Sequence, residues 1–272
     1  PQTPKRQMNR IFIFLTVLII GAGSMSLKAA SLAEQGDSAY SKGDYQAAVA
    51  AYSAALKEGS SAELLYNLGN AFYRQGDLGR AVLNYERALR LDPSMSDARA
   101  NLAFVNTRIT DKPGERGTFL GNAYDAAALA MHSNTWAWLA FAAFALFIAG
   151  IGLYFFADGI MIRKTGFFGG GIMLLLSAIC AIFACHAANL ASDTSTAIIT
   201  AKSTILSTSP RHPASRSEEA MLLHEGTRVE ILDSVVAVAD SAASTWLDVR
   251  IDNTHRAWLN SADAERIVAT RH

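Results

Sequence analysis

Apolar residues are spread unevenly along this chain, and their spacing changes character from one segment to the next. A short run, Ile11 to Ile20, follows Lys5, Arg6 and Arg10 and precedes Gly21, Ala22, Gly23, Ser24 and Ser26. A basic head, a short apolar run and then small residues is the order of a secretory signal, here residues 1–30, with Met8 as a candidate start. Ala29 and Ala30 are candidate cleavage positions, but neither completes an Ala-x-Ala pattern, so a cleaved leader and a retained anchor both stay open. Two longer uncharged runs extend from Asn134 to Ala157 and from Thr165 to Ser192. Each exceeds the roughly 20 residues that carry a helix across a bilayer, which predicts transmembrane helices over 134–157 and 165–188. Trp136, Trp138 and Tyr154 fall near the ends of the first span, at headgroup level. Arg163 and Lys164, with Asp158, place the connecting loop 158–164 in the cytoplasm by the positive-inside rule. Residues 31–133 and 193–272 then share the opposite, periplasmic side, whatever the fate of the leader. Gly166 and Gly170, with Gly150 and Gly152 on the other span, allow close helix packing, although glycine is also tolerated in lipid without it.

Between the leader and the first span the period is helical. Residues 62–93 place Leu65, Leu68, Gly69 and Phe72 on one helix, Ala81, Tyr85 and Ala88 on the next, Gly76-Asp77 at the turn and Pro93 at the end. This pattern is strongly similar to a tetratricopeptide repeat. An earlier copy follows at a constant offset of 33 residues: Gly36, Gly43-Asp44, Ala48, Tyr52 and Ala55 match Gly69, Gly76-Asp77, Ala81, Tyr85 and Ala88. Ala98, Asn101, Leu102 and Phe104 begin a third helix that lacks its partner, so 31–112 reads as two repeats and a capping helix, a small core that a partner would complete. The resemblance implies a curved surface lined by the first helix of each repeat, with Tyr40, Tyr66, Asn70, Tyr73, Arg74 and Asn101 facing inward as peptide-binding candidates. Asn70 suits a peptide backbone and Arg74 a carboxylate; an ordinary solvated helix face is the alternative. Lys112-Pro113-Gly114 interrupts the helices. Thr118 to Met131 resumes an apolar but short one, so 113–133 reads as a juxtamembrane helix on the membrane surface or packed against the repeats.

After Ser192 the period shortens. Alternating or short apolar runs at Ala197–Ala201, Met221–Leu223, Arg228–Leu232, Trp246–Ile251 and Arg256–Leu259 predict a small β-barrel over 193–272. The order Leu223-His224-Glu225-Gly226-Thr227-Arg228-Val229, then Trp246-Leu247-Asp248-Val249, then Ala257-Trp258-Leu259 resembles a bacterial SH3-like domain, with a last strand at Glu265 to Val268. Ala257 stands where that family has glycine. Trp246 and Trp258, with the loop Ser209–Ser217, are candidates for an SH3-like groove, with burial in the core as the competing reading. His224 and Glu225 are read as turn residues, since neighbours in a strand point to opposite faces.

The whole chain has 272 residues, 51% of them hydrophobic, and a mean hydropathy of +0.17, too apolar for an ordinary soluble protein. Lys and Arg total 24 and so do Asp and Glu, so no net field draws nucleic acid. There is no G-x-S-x-G, H-E-x-x-H or P-loop, and the chain is read as a non-enzyme without cofactor or catalytic residues. Cys180 and Cys185 lie within one predicted helix, where a disulfide is not expected. His186 is a polar group near the outer end of that span.

Taken together, a signal, two repeats, a transmembrane hairpin and an SH3-like barrel make a multidomain membrane protein. That order resembles the BatE branch of the Bacteroides aerotolerance (Bat) family. The most specific pieces are Ala62–Pro93, Asn101-Leu102 running on to Ile109-Thr110-Asp111-Lys112, Asn134-Thr135-Trp136-Ala137 and His224-Glu225-Gly226-Thr227. The resemblance implies an inner-membrane component facing the periplasm, partners that include Bat proteins with von Willebrand factor A domains and a MoxR-type ATPase, and links to oxidative stress. An envelope sensor binding cell-wall material or peptide through the barrel is the competing function.

Overall fold

The computed structural model describes residues 28–111, 118–239 and 242–268. They fall into two compact units, one of residues 28–91, 96–111 and 195–268, the other of 92–95 and 118–194. The expected leader lies outside the described residues except for 28–30, which open the first helix.

The first unit begins with helices α1 (28–41), α2 (Tyr45–Glu58), α3 (Ala62–Gln75), α4 (Leu78–Leu91) and α5 (Ser96–Asn106). The repeated Gly-Asp pair makes the two tight turns. Gly43 and Gly76 adopt φ of 79° and 80°, which favours glycine, and the aspartates that follow accept from Ala47 N and Arg80 N at 3.0 Å, capping α2 and α4. Ala48, Ala55, Ala81 and Ala88 are fully buried where the helices meet. A Cβ on Gly36 or Gly69 would lie 2.4 or 2.8 Å from the ring of Tyr52 or Tyr85, so each glycine makes room for the tyrosine of its own repeat.

The same unit ends in strands β1 (Thr196–Ile199), β2 (Ser203–Ser207), β3 (Glu219–His224), β4 (Arg228–Ala239), β5 (Ala242–Arg250), β6 (Arg256–Asn260) and β7 (Ala264–Arg266). They form one antiparallel sheet in the order β3-β2-β6-β5-β4-β1-β7, open at β3 and β7. Residues from strands far apart in that order, Leu223 of β3, Leu247 of β5 and Ala197 of β1, share one core, so the sheet curls around it.

The β-sheet also completes the repeats. Ile198 and Ile267, both fully buried, belong to the same apolar core as Val82, Leu83, Tyr85 and Val105. One face of α4 meets the strands. Arg87 donates to Glu265 Oε1 and to the Arg266 carbonyl at 2.7 and 2.8 Å, and Arg90 to the Ile267 carbonyl at 2.6 Å. A Cβ on Gly79 would lie 2.8 Å from the Ile199 carbonyl oxygen. The closure expected from a partner for α5 thus comes from within the chain.

The second unit holds α6 (Phe119–Ala128), α7 (Ser133–Phe156) and α8 (Ile160–Ser192). α7 and α8 have 24 and 33 residues and a window hydropathy of 2.3, long and apolar enough to cross a membrane. Their large side chains point outward, Phe141, Phe155, Phe168 and Leu175 being 64–68% exposed, the reverse of a core helix in a soluble protein. α8 begins inside the segment 158–164 expected as a loop. Arg163 and Lys164 therefore lie on its first turns, and Arg163 Nε donates to the Tyr154 carbonyl at the end of α7 at 2.9 Å. Gly150 and Gly166 mark the helix contact: a Cβ on either would lie within 2.8 Å of the other's carbonyl oxygen. α6 packs against α8, with the ring centroids of Tyr124 and His186 4.3 Å apart, His186 Nε2 2.7 Å from Asp125 Oδ1, and Trp136 Nε1 donating to the Ala128 carbonyl at 3.0 Å.

Candidate functional site

The inner face of the repeats is built by α1, α3 and α5. Helical spacing puts Tyr66, Asn70, Tyr73 and Arg74 on one stripe of α3 (i, i+4, i+7, i+8), flanked by Tyr40 from α1 and Asn101 from α5. Asn70 is the hub. Its Oδ1 accepts from the Tyr85 hydroxyl at 2.7 Å and from Asn101 Nδ2 at 2.9 Å, and the same Asn101 amide reaches the Tyr66 hydroxyl at 3.3 Å. The equivalent position one repeat earlier is Asp37, which accepts from the Tyr52 hydroxyl at 2.6 Å and from Asn67 Nδ2 at 3.5 Å. Between these two polar hubs lies a concavity of about 150 Å³ lined by Asp37, Tyr40, Tyr52, Asn67 and Asn70. Burial raises the pKa of the Tyr52 and Tyr85 hydroxyls well above the ordinary phenol value; at Tyr52 the neighbouring Asp37 adds to the shift, whereas at Tyr85 a hydrogen bond from Asn101 opposes it. Both stay protonated and act as fixed donors.

Two cations border this surface. The Arg74 guanidinium donates to the Tyr45 hydroxyl and lies 4.9 Å from the Tyr45 ring centroid, while Tyr45 packs edge-on against Tyr40 at 5.3 Å. Arg108, just beyond α5, donates to the Tyr73 hydroxyl at 2.5 Å and lies 4.3 Å from the centroid of Phe104. Both arginines are exposed, and among the described residues neither meets a carboxylate. The flanking rings restrict each guanidinium without neutralising it. All six candidates from the sequence therefore share one neighbourhood, to which Tyr45, Asn67, Asp37 and Arg108 are added. The 33-residue offset was the available signal for Asp37, the counterpart of Asn70; Arg108 lies past the last repeat position and carried none.

The two tryptophans project from the same face of the sheet, opposite the apolar core, because Trp258 pairs with Asp248 and Trp246 lies two residues before it. They are not equivalent. Trp246 is 1% exposed, with the His212 ring edge-on at 5.0 Å and its Nε1 donating to Ser244 Oγ at 2.9 Å, so the loop after β2 closes over it. Trp258 is half-buried beside Asp248, itself 4% exposed and held by the Arg256 guanidinium, whose Nε donates to Oδ1 at 2.7 Å.

His224 and Glu225 have a role that spacing alone hid. Asp111, at the end of the helical segment, accepts from His224 N at 2.6 Å and from the Thr227 hydroxyl at 2.7 Å, and its other oxygen lies 2.9 Å from His224 Nδ1. Burial pushes the Asp111 carboxyl upward, but these hydrogen bonds outweigh it, and its pKa ends below the ordinary value. Glu225 accepts from Lys202 Nζ at 2.8 Å and from Gly79 N at 3.2 Å, at the N-terminus of α4. The segments Ile109–Asp111 and His224–Thr227 are thus two halves of one joint.

The helical pairs, their paired turns and an inner face of fixed donors are the architecture of a helical-repeat scaffold. In agreement, residues 33–103 match the family model described as tetratricopeptide repeat. No curated protein matches the chain.

Proposed function

We propose that this protein is a membrane-tethered scaffold that binds a partner protein through the inner face of its repeats. The observation that carries this reading is the pair Arg74 and Arg108, held on aromatic rings on either side of the Asn70–Asn101 amides with no carboxylate partner among the described residues. An extended segment fits this array, its backbone meeting the amides and its carboxylates the guanidinium groups. Membrane attachment is supported by α7 and α8, whose apolar side chains point outward. The first unit joins segments from before and after the hairpin in one core, which fits a hairpin of two spans. Two spans return the chain to its starting side, as that shared core requires. Arg163 and Lys164 at the hairpin's turn favour a periplasmic location for the repeats and strands. The resemblance of the domain order to the Bat family adds von Willebrand factor A membrane proteins and a MoxR-type system as proposed partners and envelope stress as the setting.

Copurification from membranes tests the proposal. Replacing the exposed Arg74 and Arg108 together by alanine is expected to remove the bound partner while leaving thermal unfolding within a few degrees of wild type. Unchanged recovery of the partner by this folded variant would contradict it.

A further inference from the structure

α7 and α8 touch at Gly150 and Gly166, and two recesses lie beside that contact. One, of about 330 Å³, sits at the turn of the hairpin and is lined by Tyr154, Ile160, Arg163, Lys164, Phe167 and Phe168. The other, of about 540 Å³, shares Tyr154, Phe167 and Phe168 with it and continues along both helices to Phe147 and Leu175. From Arg163 to Leu175 the helix rises about 18 Å at roughly 1.5 Å per residue, close to half of a hydrocarbon core roughly 30 Å thick. The deep part of this groove is apolar, walled by Phe147, Ile151, Ile172 and Leu175. Gly171 also lines it, and a Cβ there would meet nothing within 4 Å, so a larger side chain would take up space in the groove. The shallow end is cationic. Arg163 is fixed there, its Nε donating to the Tyr154 carbonyl at 2.9 Å and its guanidinium 5.4 Å from the Tyr154 ring centroid. Among the described residues neither Arg163 nor Lys164 pairs with a carboxylate.

We propose that this groove holds one anionic phospholipid of the leaflet at the hairpin's turn, its phosphate on Arg163 and Lys164 and an acyl chain along Phe147, Ile172 and Leu175. The inference rests on α7 and α8 crossing a membrane, and within that reading it names what lies against them. Charge complementarity selects the occupant. A neighbouring apolar helix would fill the deep end but leave two cations at the turn without counter-charge, and a free phosphate would meet the cations but leave the apolar walls uncovered. A molecule with a phosphate at one end and a chain about one leaflet long satisfies both demands. A zwitterionic lipid brings its phosphate together with an ammonium group that Arg163 and Lys164 repel, so the site selects net negative charge.

The test uses the full-length protein extracted from membranes in mild detergent, with phosphatidylglycerol and phosphatidylcholine as probes. Native mass spectrometry should show one retained phosphatidylglycerol, in several-fold excess over phosphatidylcholine offered at the same concentration. Arg163→Gln combined with Lys164→Gln should abolish that preference. Gly171→Leu should reduce retention of both lipids, whereas Gly169→Leu, at a glycine with the same open space but outside the groove lining, should not. Equal retention of the two lipids by wild type, an unchanged preference in the double variant, equal effects of Gly171→Leu and Gly169→Leu, or displacement of the bound lipid by glycerol phosphate would each overturn the proposal. A carbonate wash of the membranes separates this inference from the membrane tether. A wild-type chain that washes out removes both readings, and one that stays in the membrane but carries no phosphatidylglycerol removes this one alone.

Discussion

At the scale of single residues, Asp111 carries the largest number of consequences. It receives two N–H or O–H donors and faces an imidazole nitrogen across the joint between helices and strands. Replacing it by alanine leaves those groups without their acceptor and should cost about 2–3 kcal/mol, read from chemical unfolding of the detergent-solubilised protein. Because the pKa of Asp111 is lower folded than unfolded, its contribution is complete above the ordinary carboxylate value of 3.8 and is lost as pH falls through the folded value. The substitution Asp111→Asn should therefore flatten the acid limb of the stability profile while leaving its shape near neutrality unaltered; an unchanged acid limb would show that the carboxylate is not engaged. Gly226 offers a second test. Its φ is 86°, and an added Cβ would lie 2.6 Å from Ile109 Cγ2. Gly226→Ala should destabilise by about 1–2 kcal/mol from backbone strain plus a steric part, and Ile109→Ala in the same chain should recover only the steric part.

At the scale of elements, the repeats were legible because their constraints are local. A left-handed glycine, a capping aspartate and alanines at the helix crossings recur at a fixed offset, and each leaves its own mark on the sequence. The long apolar helices were legible for the same reason, although their spacing did not show that α8 starts at Ile160 and shortens the connection. What pattern reading missed depends on partners remote in sequence. β2 has only Ile205 and Leu206 as apolar residues and is defined by pairing with β3 and β6. The continuation of β4 to Ala239 is fixed by β5 and not by a buried face. Strand alternation makes turn residues of His224 and Glu225 and is blind to Asp111, more than 100 positions earlier. The two tryptophans look alike in sequence, yet the loop bearing His212 covers one and leaves the other half-exposed. Docking of the strands on α4 leads to an expectation for this element: residues 28–111 alone, deprived of Ile198 and Ile267, should unfold at lower temperature and less cooperatively than in the full chain. Equal melting of the fragment would mean that the shared core adds no stability.

At the scale of the whole molecule, the proposed function joins a binding surface on the repeats to two helices long and apolar enough to cross a membrane. Segments from before and after the two apolar helices complete one unit, so a membrane crossed by both helices would leave the repeats and strands on the same side. The claim on which function rests is that the inner face of the repeats, centred on Tyr66 and Asn70, meets a partner protein there. Site-specific photocrosslinking in intact cells tests it most directly, with the reactive group placed at Tyr66 and, as a control, at exposed Lys57 on α2. The expected result is a discrete adduct from position 66 that is absent from position 57 and disappears when Arg74 and Arg108 are replaced by alanine. No adduct at position 66, or the same adducts from both positions regardless of the arginines, would contradict it.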